Sequence, residues 1–373
     1  MPSIASLPPD QYLDVLRRLP ADLDLDVLAR ETKAIERGRV LRDGALLLRL
    51  ALARGPGGLS LSQTAAWASM LGLAELSDPA IKYRLDKAVG FLNALLERQL
   101  AGNTARRPVR WPGRILRVAD GTSISKPGSK GTDWRVHGVY DLGRGGFSHL
   151  ELSDSHGAEG LCRGAPVPGE VRIGDRNYAR LRDLREFLRQ GGGLADFIVR
   201  LRWRSLTLYL PDGARFDLFE YLRGLPVDHA PHEIVVHARD TGRAEASLPA
   251  LPLRLIVVRK SPEATEAERK RLHQAASRKQ KQLDPRSLEA AEFVMLATSL
   301  TTMYRAGDVL GAYRLRWQVE LAIKRTKSLI HTDVLPTHTP EASRSWLLSH
   351  LLLTALTDEM TQDLLDSFPC GPE

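Results

Sequence analysis

The chain has 373 residues, of which 43% are hydrophobic and 26% charged, and its 53 basic and 45 acidic side chains leave a formal net charge of +8. This length predicts two or three structural units with sizeable cores, and the composition excludes wholesale disorder. Two cysteines are too few for a disulfide framework or a zinc cage. Because we find neither a long apolar run nor a signal-peptide pattern, we expect a cytoplasmic protein with no membrane partner. The mild basic excess admits nucleic acid as a partner but is equally typical of an arginine-rich surface.

Residues 1–112 are predicted to be helical, because apolar residues recur there at three- and four-residue spacing. Near the middle, two short helices are predicted on either side of a turn. Ser60 or Ser62 caps the first helix, Gly72 ends it, and Pro79 occupies the first position of the second. Basic residues near the start of the second helix are typical of a helix-turn-helix that binds DNA, and equally typical of two packed helices with a solvated face.

A Pro/Arg-rich segment at 106–112 marks a boundary, after which the pattern changes to strands. The first strands are predicted at 114–119, 134–141, 147–153, 170–174 and 196–202, with a helix at 178–190. Strands followed by a helix and another strand indicate a mixed α/β fold. Later elements are a β-rich insertion at 205–290 that includes a charged helix at 262–283, then a strand at 293–299 and helices at 309–329 and 340–365.

Two aspartates stand where a predicted strand ends, Asp120 after the first and Asp175 after the fourth. Carboxylates at strand ends can converge, because neighbouring strands lie only about 5 Å apart. Taken singly, each aspartate is also explained by a local role, Asp120 in a turn and Asp175 as a helix cap.

The predicted helix at 309–329 carries five polar side chains at spacings of 3, 4, 4 and 3 residues, which places them on one face: Tyr313, Arg316, Glu320, Lys324 and Lys327. An exposed helix with an ion pair between Glu320 and Lys324 would also produce this stripe. One carboxylate among cations that seek phosphate, however, suits a site where a metal ion and a phosphodiester meet.

The order Tyr-x2-Arg-x3-Glu-x6-Lys in this helix resembles the signature of the bacterial insertion-sequence transposases of the DDE class, and in particular of the family founded on insertion sequence 4. The segments 118–122 and 173–178 resemble that family's first and second acidic motifs, and 137–142 resembles its second strand. The resemblance covers most of residues 114–330.

The resemblance implies a ribonuclease H-like catalytic core in which Asp120, Asp175 and Glu320 bind two Mg²⁺ or Mn²⁺ ions. Hard divalent cations prefer carboxylate oxygens, and two of them can clamp a scissile phosphate. The resemblance also implies that Tyr313, Arg316 and Lys327 contact DNA phosphates, with Lys324 as a helper.

The implied function is that of a transposase that binds the terminal repeats of its element and catalyses metal-dependent cleavage and strand transfer. Its partners would be double-stranded DNA, both repeats and target, and a second copy of the chain in a synaptic complex at the bacterial nucleoid. The expected units are a helical DNA-binding domain, a core in two parts and the insertion, at 1–112, 113–204 with 291–373, and 205–290. A related nuclease without strand transfer and a domesticated DNA-binding regulator remain alternatives.

Overall fold

The computed structural model describes residues 12–36, 41, 43–102, 111, 113–126, 128–239, 248–330, 335–337 and 339–367. Among the described residues, no helix is both long enough and apolar enough to cross a membrane.

In the described part of the chain, six helices precede the first strand: α1 (Tyr12–Arg17), α2 (Leu25–Glu31), α3 (Gly44–Arg54), α4 (Leu61–Met70), α5 (Asp78–Lys87) and α6 (Val89–Gly102). The limits of α4 follow from local sequence. Ser60 accepts a hydrogen bond from the backbone N–H of Gln63 at 3.1 Å, and the Gln63 side chain accepts one from the Ser60 N–H at 2.8 Å. Gly72 follows the helix with a φ of +64°, a conformation that favours glycine. The predicted pair of helices is therefore confirmed, whereas its role in DNA binding stays a prediction.

The strands of the described residues, nine in number, form one mixed sheet: β1 (Ile115–Ile124), β2 (Trp134–Asp141), β3 (Gly146–Asp154), β4 (Glu170–Gly174), β5 (Asp196–Arg200), β6 (Thr207–Tyr209), β7 (His232–Arg239), β8 (Leu251–Arg259) and β9 (Phe293–Thr298). Their order across the sheet is β3-β2-β1-β4-β5-β9-β8-β7-β6. β1, β4 and β5 run parallel to one another, and every other neighbouring pair is antiparallel. The mixed α/β fold is thus confirmed.

The segment 205–290 extends the central sheet, because β8 pairs with β9 and β9 pairs with β5. Besides β6, β7 and β8, its described residues form three helices: α8 (Leu218–Gly224), α9 (Pro262–Arg278) and α10 (Pro285–Ala290). The remaining helices are α7 (Leu181–Gln190), which connects β4 to β5, and α11 (Ala306–Arg314), α12 (Trp317–Ile330) and α13 (Pro340–Ser367).

Alternate residues along the strands enter two apolar cores, one on each face of the sheet. In β5, Ile198 enters the first core, while Phe197 and Val199 enter the second. The first core also contains buried residues of α2–α6 and α11–α13, and the second contains those of α7 and α8. The N-terminal helices therefore share an apolar core with the sheet, and α13 packs against α3, α5, α6 and β3.

The single helix predicted over 309–329 is wrong, because the chain turns between α11 and α12. The backbone N–H groups of Leu315 and Arg316 donate to the carbonyls of Ala312 and Tyr313 at 3.0 and 3.1 Å, three residues back rather than four. Such bonds form a tighter, 3₁₀-type turn, which separates the two helices. No proline or glycine occupies the turn, and the buried Ala312 and Val319 hold one helix on each side of it in the first core.

A cluster of buried charges joins β1, β2 and β4. Glu170 and Arg172 are fully buried, and Arg117 is 7% exposed. Arg117 donates to Glu170 and to Asp141, each at 3.2 Å, and Arg172 donates to Glu170 at 2.5 Å. The far end of the Arg172 side chain donates to three carbonyl oxygens of the loop at 161–164, at 2.6 to 2.9 Å. Each buried charge therefore has compensating partners, and these three strands and the loop are tied together.

Replacing Glu170 by Gln should destabilise the protein by about 3–5 kcal/mol, because it leaves the charge of Arg172 buried without a counter-charge and leaves Arg117 with Asp141 alone. The free energy of unfolding in urea measures the loss. The matched control is Glu186→Gln, which breaks an exposed ion pair with Arg189 and should leave the unfolding midpoint unchanged. Equal stability of the Glu170 variant and the wild type would contradict this account.

Candidate active site

The parallel pairing of β1 with β4 brings Asp120 and Asp175 side by side. It pairs Val118 with Ile173, an offset of 173 − 118 = 55 residues. The two aspartates are separated by the same number, 175 − 120 = 55. If the register is continued two residues beyond the last pair, Asp120 and Asp175 are therefore level with each other. The two backbone segments that carry them are neighbours at about 5 Å.

Asp175 directly follows Gly174, the last residue of β4, as predicted. The prediction that Asp120 also ends a strand is wrong. β1 continues to Ile124, because residues 121–124 still pair with β2 after β4 has stopped. Asp120 thus lies within a strand, at the position where its neighbour on one side ends.

The same register adds a residue that sequence reasoning missed. β4 pairs with β5 through Gly174 and Val199, so the next residues in line are Asp175 and Arg200. Arg200 shares the face of Ile198, which belongs to the first core. A cation therefore flanks the two carboxylates, and no motif around position 200 indicated it.

Asp120 has an environment that disfavours its negative charge. Val118 enters the first core, so Asp120, two residues on, faces the same side, and α12 packs against β1 there. Burial raises the pKa of Asp120 to about 6; the Gly121 N–H, which donates to it at 2.8 Å, and Arg316 act in the opposite direction, and Asp175 and Glu320 raise it further. In the metal-free protein, burial therefore outweighs the stabilisation that the Gly121 N–H and Arg316 give to this charge.

Three residues of the predicted stripe are together beside this carboxylate. Arg316, in the turn between α11 and α12, forms an ion pair with Glu320 at 2.6 Å, and its guanidinium lies 5.9 Å from the centre of the Tyr313 ring. Burial raises the pKa of Tyr313, so its hydroxyl keeps its proton. Lys324 is exposed further along α12. The backbone of Lys327 lies in α12, but its side chain lies outside the described residues.

The chemistry of this donor set fits a divalent cation. Asp120, Asp175 and Glu320 are carboxylates that influence one another electrostatically, and a hard cation would relieve the penalty on the Asp120 charge. Among the described residues, however, no group of three or more His, Cys, Asp or Glu side chains is arranged so that it could hold a metal ion. Glu320 instead pairs with Arg316, and the assignment of the three acids as metal ligands stays a prediction.

Sequence reasoning also missed Glu159, which lies beside Asp120 on the loop after β3. A side chain at Gly121 would meet the Glu159 carboxylate at 3.2 Å, so this glutamate passes directly over the backbone next to Asp120. Glu159 accepts a hydrogen bond from the Asn177 side chain at 3.3 Å, and the Asn177 backbone donates to Asp175 at 2.7 Å. Glu159 therefore links the backbone beside one aspartate to the loop that carries the other.

Comparison with known proteins shows to which family the chain belongs. The sequence profile of one family, described as the transposase DDE domain, matches residues 111–356. The chain belongs to the DDE transposase family. It is 40% identical over 361 residues to the putative transposase InsL of insertion sequence element IS186A from Escherichia coli K12, covering 96% of each chain. It is also 40% identical over 362 residues to the transposase of insertion sequence element IS421 from Escherichia coli, with the same coverage.

Among solved structures, the piggyBac transposase synaptic complex with hairpin DNA aligns with 97% of this chain and 77% of its own, with a TM-score of 0.48 and 9% identity. The predicted function of a DDE transposase and the predicted enzyme class are confirmed by the family and the relatives. Membership of the family implies that the transposase depends on divalent metal ions and acts on DNA.

Replacing Asp120 by Asn should stabilise the metal-free transposase at neutral pH by about 1–3 kcal/mol. Folding raises the pKa of Asp120 from 3.8 to about 6, so the folded state holds this proton more tightly than the unfolded state. Stability is therefore complete below about pH 4, falls as the pH rises to about 6, and stays reduced above that. The asparagine side chain carries no charge, so the variant escapes this reduction.

Thermal unfolding between pH 4 and 8, in the presence of a chelator, measures this effect. The matched control is Asp212→Asn, because Asp212 is exposed and also accepts a bond from a nearby backbone N–H, at 2.8 Å from that of Ala214. It should show no gain that grows with pH. A stabilisation by Asp120→Asn that is equal at pH 4 and pH 8 would contradict the buried-charge explanation.

Replacing Glu159 by Ala should slow DNA cleavage by about ten- to hundredfold, since the loop of Asp175 loses its tether and small displacements of reacting groups are costly. Glu159→Gln should recover most of the rate, because its amide oxygen still accepts from Asn177. Single-turnover cleavage measures both rates, and DNA affinity should be unchanged in both. A role for Glu159 is ruled out if the alanine variant cleaves at the wild-type rate.

Proposed function

We propose that the chain is an insertion-sequence transposase of the Tyr-Arg-Glu-Lys type, similar to the family founded on insertion sequence 4. In this proposal it binds the terminal repeats of its own element, cuts the DNA there and joins the ends to target DNA. The names of its relatives, transposases of insertion sequence elements matched over 96% of both chains, support the proposal.

The observation that carries the proposal is the level placement of Asp120 and Asp175 by the β1–β4 register, with Glu320 supplied from the helix that packs on β1. The strand order β3-β2-β1-β4-β5, with β1, β4 and β5 parallel and β2 and β3 antiparallel, supports a ribonuclease H-like core. Asp120 on β1, Asp175 directly after β4 and Glu320 on α12 are the three acids that this proposal assigns to the core.

Asp120, Asp175 and Glu320 are the residues that would hold two Mg²⁺ or Mn²⁺ ions. Bound there, the ions would activate the attacking hydroxyl and stabilise the leaving oxygen. Glu320 would be released from its ion pair with Arg316 to take part. Asp120 would regain the ionised form that burial disfavours in the metal-free protein.

The neighbouring side chains would bind and orient the phosphodiester. The hydroxyl of Tyr313 keeps its proton and can donate to a phosphate oxygen. Arg316, freed from Glu320, and Arg200 would neutralise charge on either side of the cut. Lys324 and Lys327, further along α12, would contact the backbone of the same DNA.

Recognition of the repeats is assigned to the helical unit at 1–112, through α5. The face of α5 opposite its buried Ile81 and Leu85 exposes Tyr83 and Lys87, which a DNA groove could receive. The core would comprise 113–204 and 291–373, with 205–290 inserted between its parts. Two copies of the transposase would pair two element ends in a synaptic complex.

Replacing Asp175 by Ala should abolish cleavage of element-end DNA and leave its binding intact, because the variant loses a metal ligand and no phosphate-binding cation. An in vitro assay with Mg²⁺, end-containing duplex and supercoiled target plasmid measures cleavage and joining, and a mobility-shift assay measures binding. The matched control, Glu266→Gln, removes an exposed carboxylate on α9 and should retain both activities.

Undiminished cleavage by Asp175→Ala would overturn the site assignment. If the wild type cleaves the ends but never joins them to the target, the protein is a nuclease and not a transposase. If the wild type binds the DNA without cleaving it, the result favours a regulator.

A further inference from the structure

Helix α9 and the turn after it carry a run of basic charge that the active site does not use. From Arg269 to Lys281 the sequence contains six lysines and arginines and no aspartate or glutamate. Acidic residues of α9 are confined to its first half, at positions 263, 266 and 268. The helix therefore begins with acidic side chains, and its later part and the turn after it carry only basic charge.

The beginning of α9 is fixed to the protein body and its second half is exposed. Thr265 is buried, and Arg269 pairs with Glu292 at 2.7 Å. Beyond this anchor, four basic residues are exposed and, among the residues that the structure describes, make no ion pair: Lys270, Arg278, Lys279 and Lys281. At about 1.5 Å per residue, the 17-residue helix is about 25 Å long, the length of roughly seven base pairs of duplex.

This helix begins at the edge of the sheet that carries the candidate active site. β8 runs in the same direction as β5, and Lys260 directly follows it. Arg176, next to Asp175, contacts Glu268 of α9 at 3.6 Å. A row of cations thus continues from the carboxylates through Arg176 and Lys260 onto α9.

The cations of this row are not fully compensated by their surroundings. Burial lowers the pKa of Lys260; Glu268 raises it, and the positive charges of Arg200, Arg176 and Arg271 lower it again. Arg202, which donates to Asn177 at 2.8 Å, has a pKa lowered by burial and by the positive charges of Arg176 and Arg200, and Asp175 offsets only part of this effect. Positive charge is therefore concentrated beside Asp175, where a polyanion would relieve the repulsion.

We propose that the exposed cations of α9 and its following turn, with Arg176 and Lys260 at its base, form a ridge that holds the phosphate backbone of the duplex DNA being cut. We call this surface the α9 ridge. The inference rests on the proposed function, in that Asp120 and Asp175 mark the position of the scissile phosphate. The duplex would run from the carboxylates along the ridge for about seven base pairs.

The ridge binds DNA without reading its sequence. Flexible lysine and arginine side chains on an exposed helix neutralise phosphates and release counterions, and such contacts position a duplex rather than specify it. Continuity with the site assigns the ridge to the DNA that occupies the site and not to a separate target molecule.

The test replaces Lys270, Arg278, Lys279 and Lys281 by Gln in the full-length chain. The probe is a 40-bp duplex of arbitrary sequence, bound at several KCl concentrations. The slope of log affinity against log salt should fall in magnitude by about 3 to 4, since each phosphate contact contributes about 0.9. A control variant changes the net charge equally at exposed arginines outside the ridge, with Gln at Arg182, Arg189, Arg215 and Arg239, and should keep the wild-type slope.

An unchanged slope in the ridge variant, or an equal fall in both variants, would overturn the proposal. Thermal midpoints equal to that of the wild type show that both variants fold. A failure of the proposed function is detected separately, because it would appear as DNA cleavage by the Asp175→Ala variant. This variant should bind the same probe with the salt slope of the wild type.

A second arm identifies the DNA. With an element-end duplex, the ridge variant should cleave at least tenfold more slowly in 150 mM KCl, while joining of pre-cut ends to a plasmid falls no further than cleavage does. Normal cleavage with selective loss of joining would instead place target DNA on the ridge and contradict the assignment.

Discussion

The parallel pairing of β1 with β4 is the constraint on which the candidate active site depends. At one end of this pair, Arg117 and Arg172 are compensated by Glu170 and Asp141 in a cluster of buried charges. A slip of this register would separate Arg117 on β1 from Glu170 on β4 and leave buried charge short of a partner, which is far more costly than losing an apolar contact. The same register, carried to the other end, sets Asp120 beside Asp175.

Buried charge is compensated at one end of the β1–β4 pair and incompletely compensated at the other. The buried cluster is balanced, so it stabilises one arrangement of the chain. At the site, burial and neighbouring acids raise the pKa of Asp120 to about 6, so negative charge there is incompletely balanced. This imbalance costs stability in the metal-free protein, and it suits a site that is completed by cations and a phosphodiester. In the metal-free protein, Glu320 forms an ion pair with Arg316.

The segment 205–290 extends the central sheet rather than forming a sheet of its own. β9 lies between β5 and β8, so the edge that carries Asp175 and Arg200 continues to Lys260 and the base of α9. Acidic and basic groups are thereby sorted along one edge, with carboxylates where β1 and β4 lie and cations towards β8. An extended polyanion bound along that edge would meet the cations and the acids in order.

Much of this protein was determined by the sequence itself. The period of apolar residues predicted most strands and helices. The Tyr313–Arg316–Glu320 spacing and the two aspartate motifs indicated a DDE transposase. Both kinds of prediction succeeded because periodicity and side-chain chemistry depend on residues that are close together in the sequence. The tertiary structure decided what depends on contacts between distant segments: that β1 continues past Asp120, that the helix turns at Arg316, and that Arg200 and Glu159 adjoin the site. Strand register and loop packing create these neighbours, and neither leaves a pattern in the residues nearby in sequence.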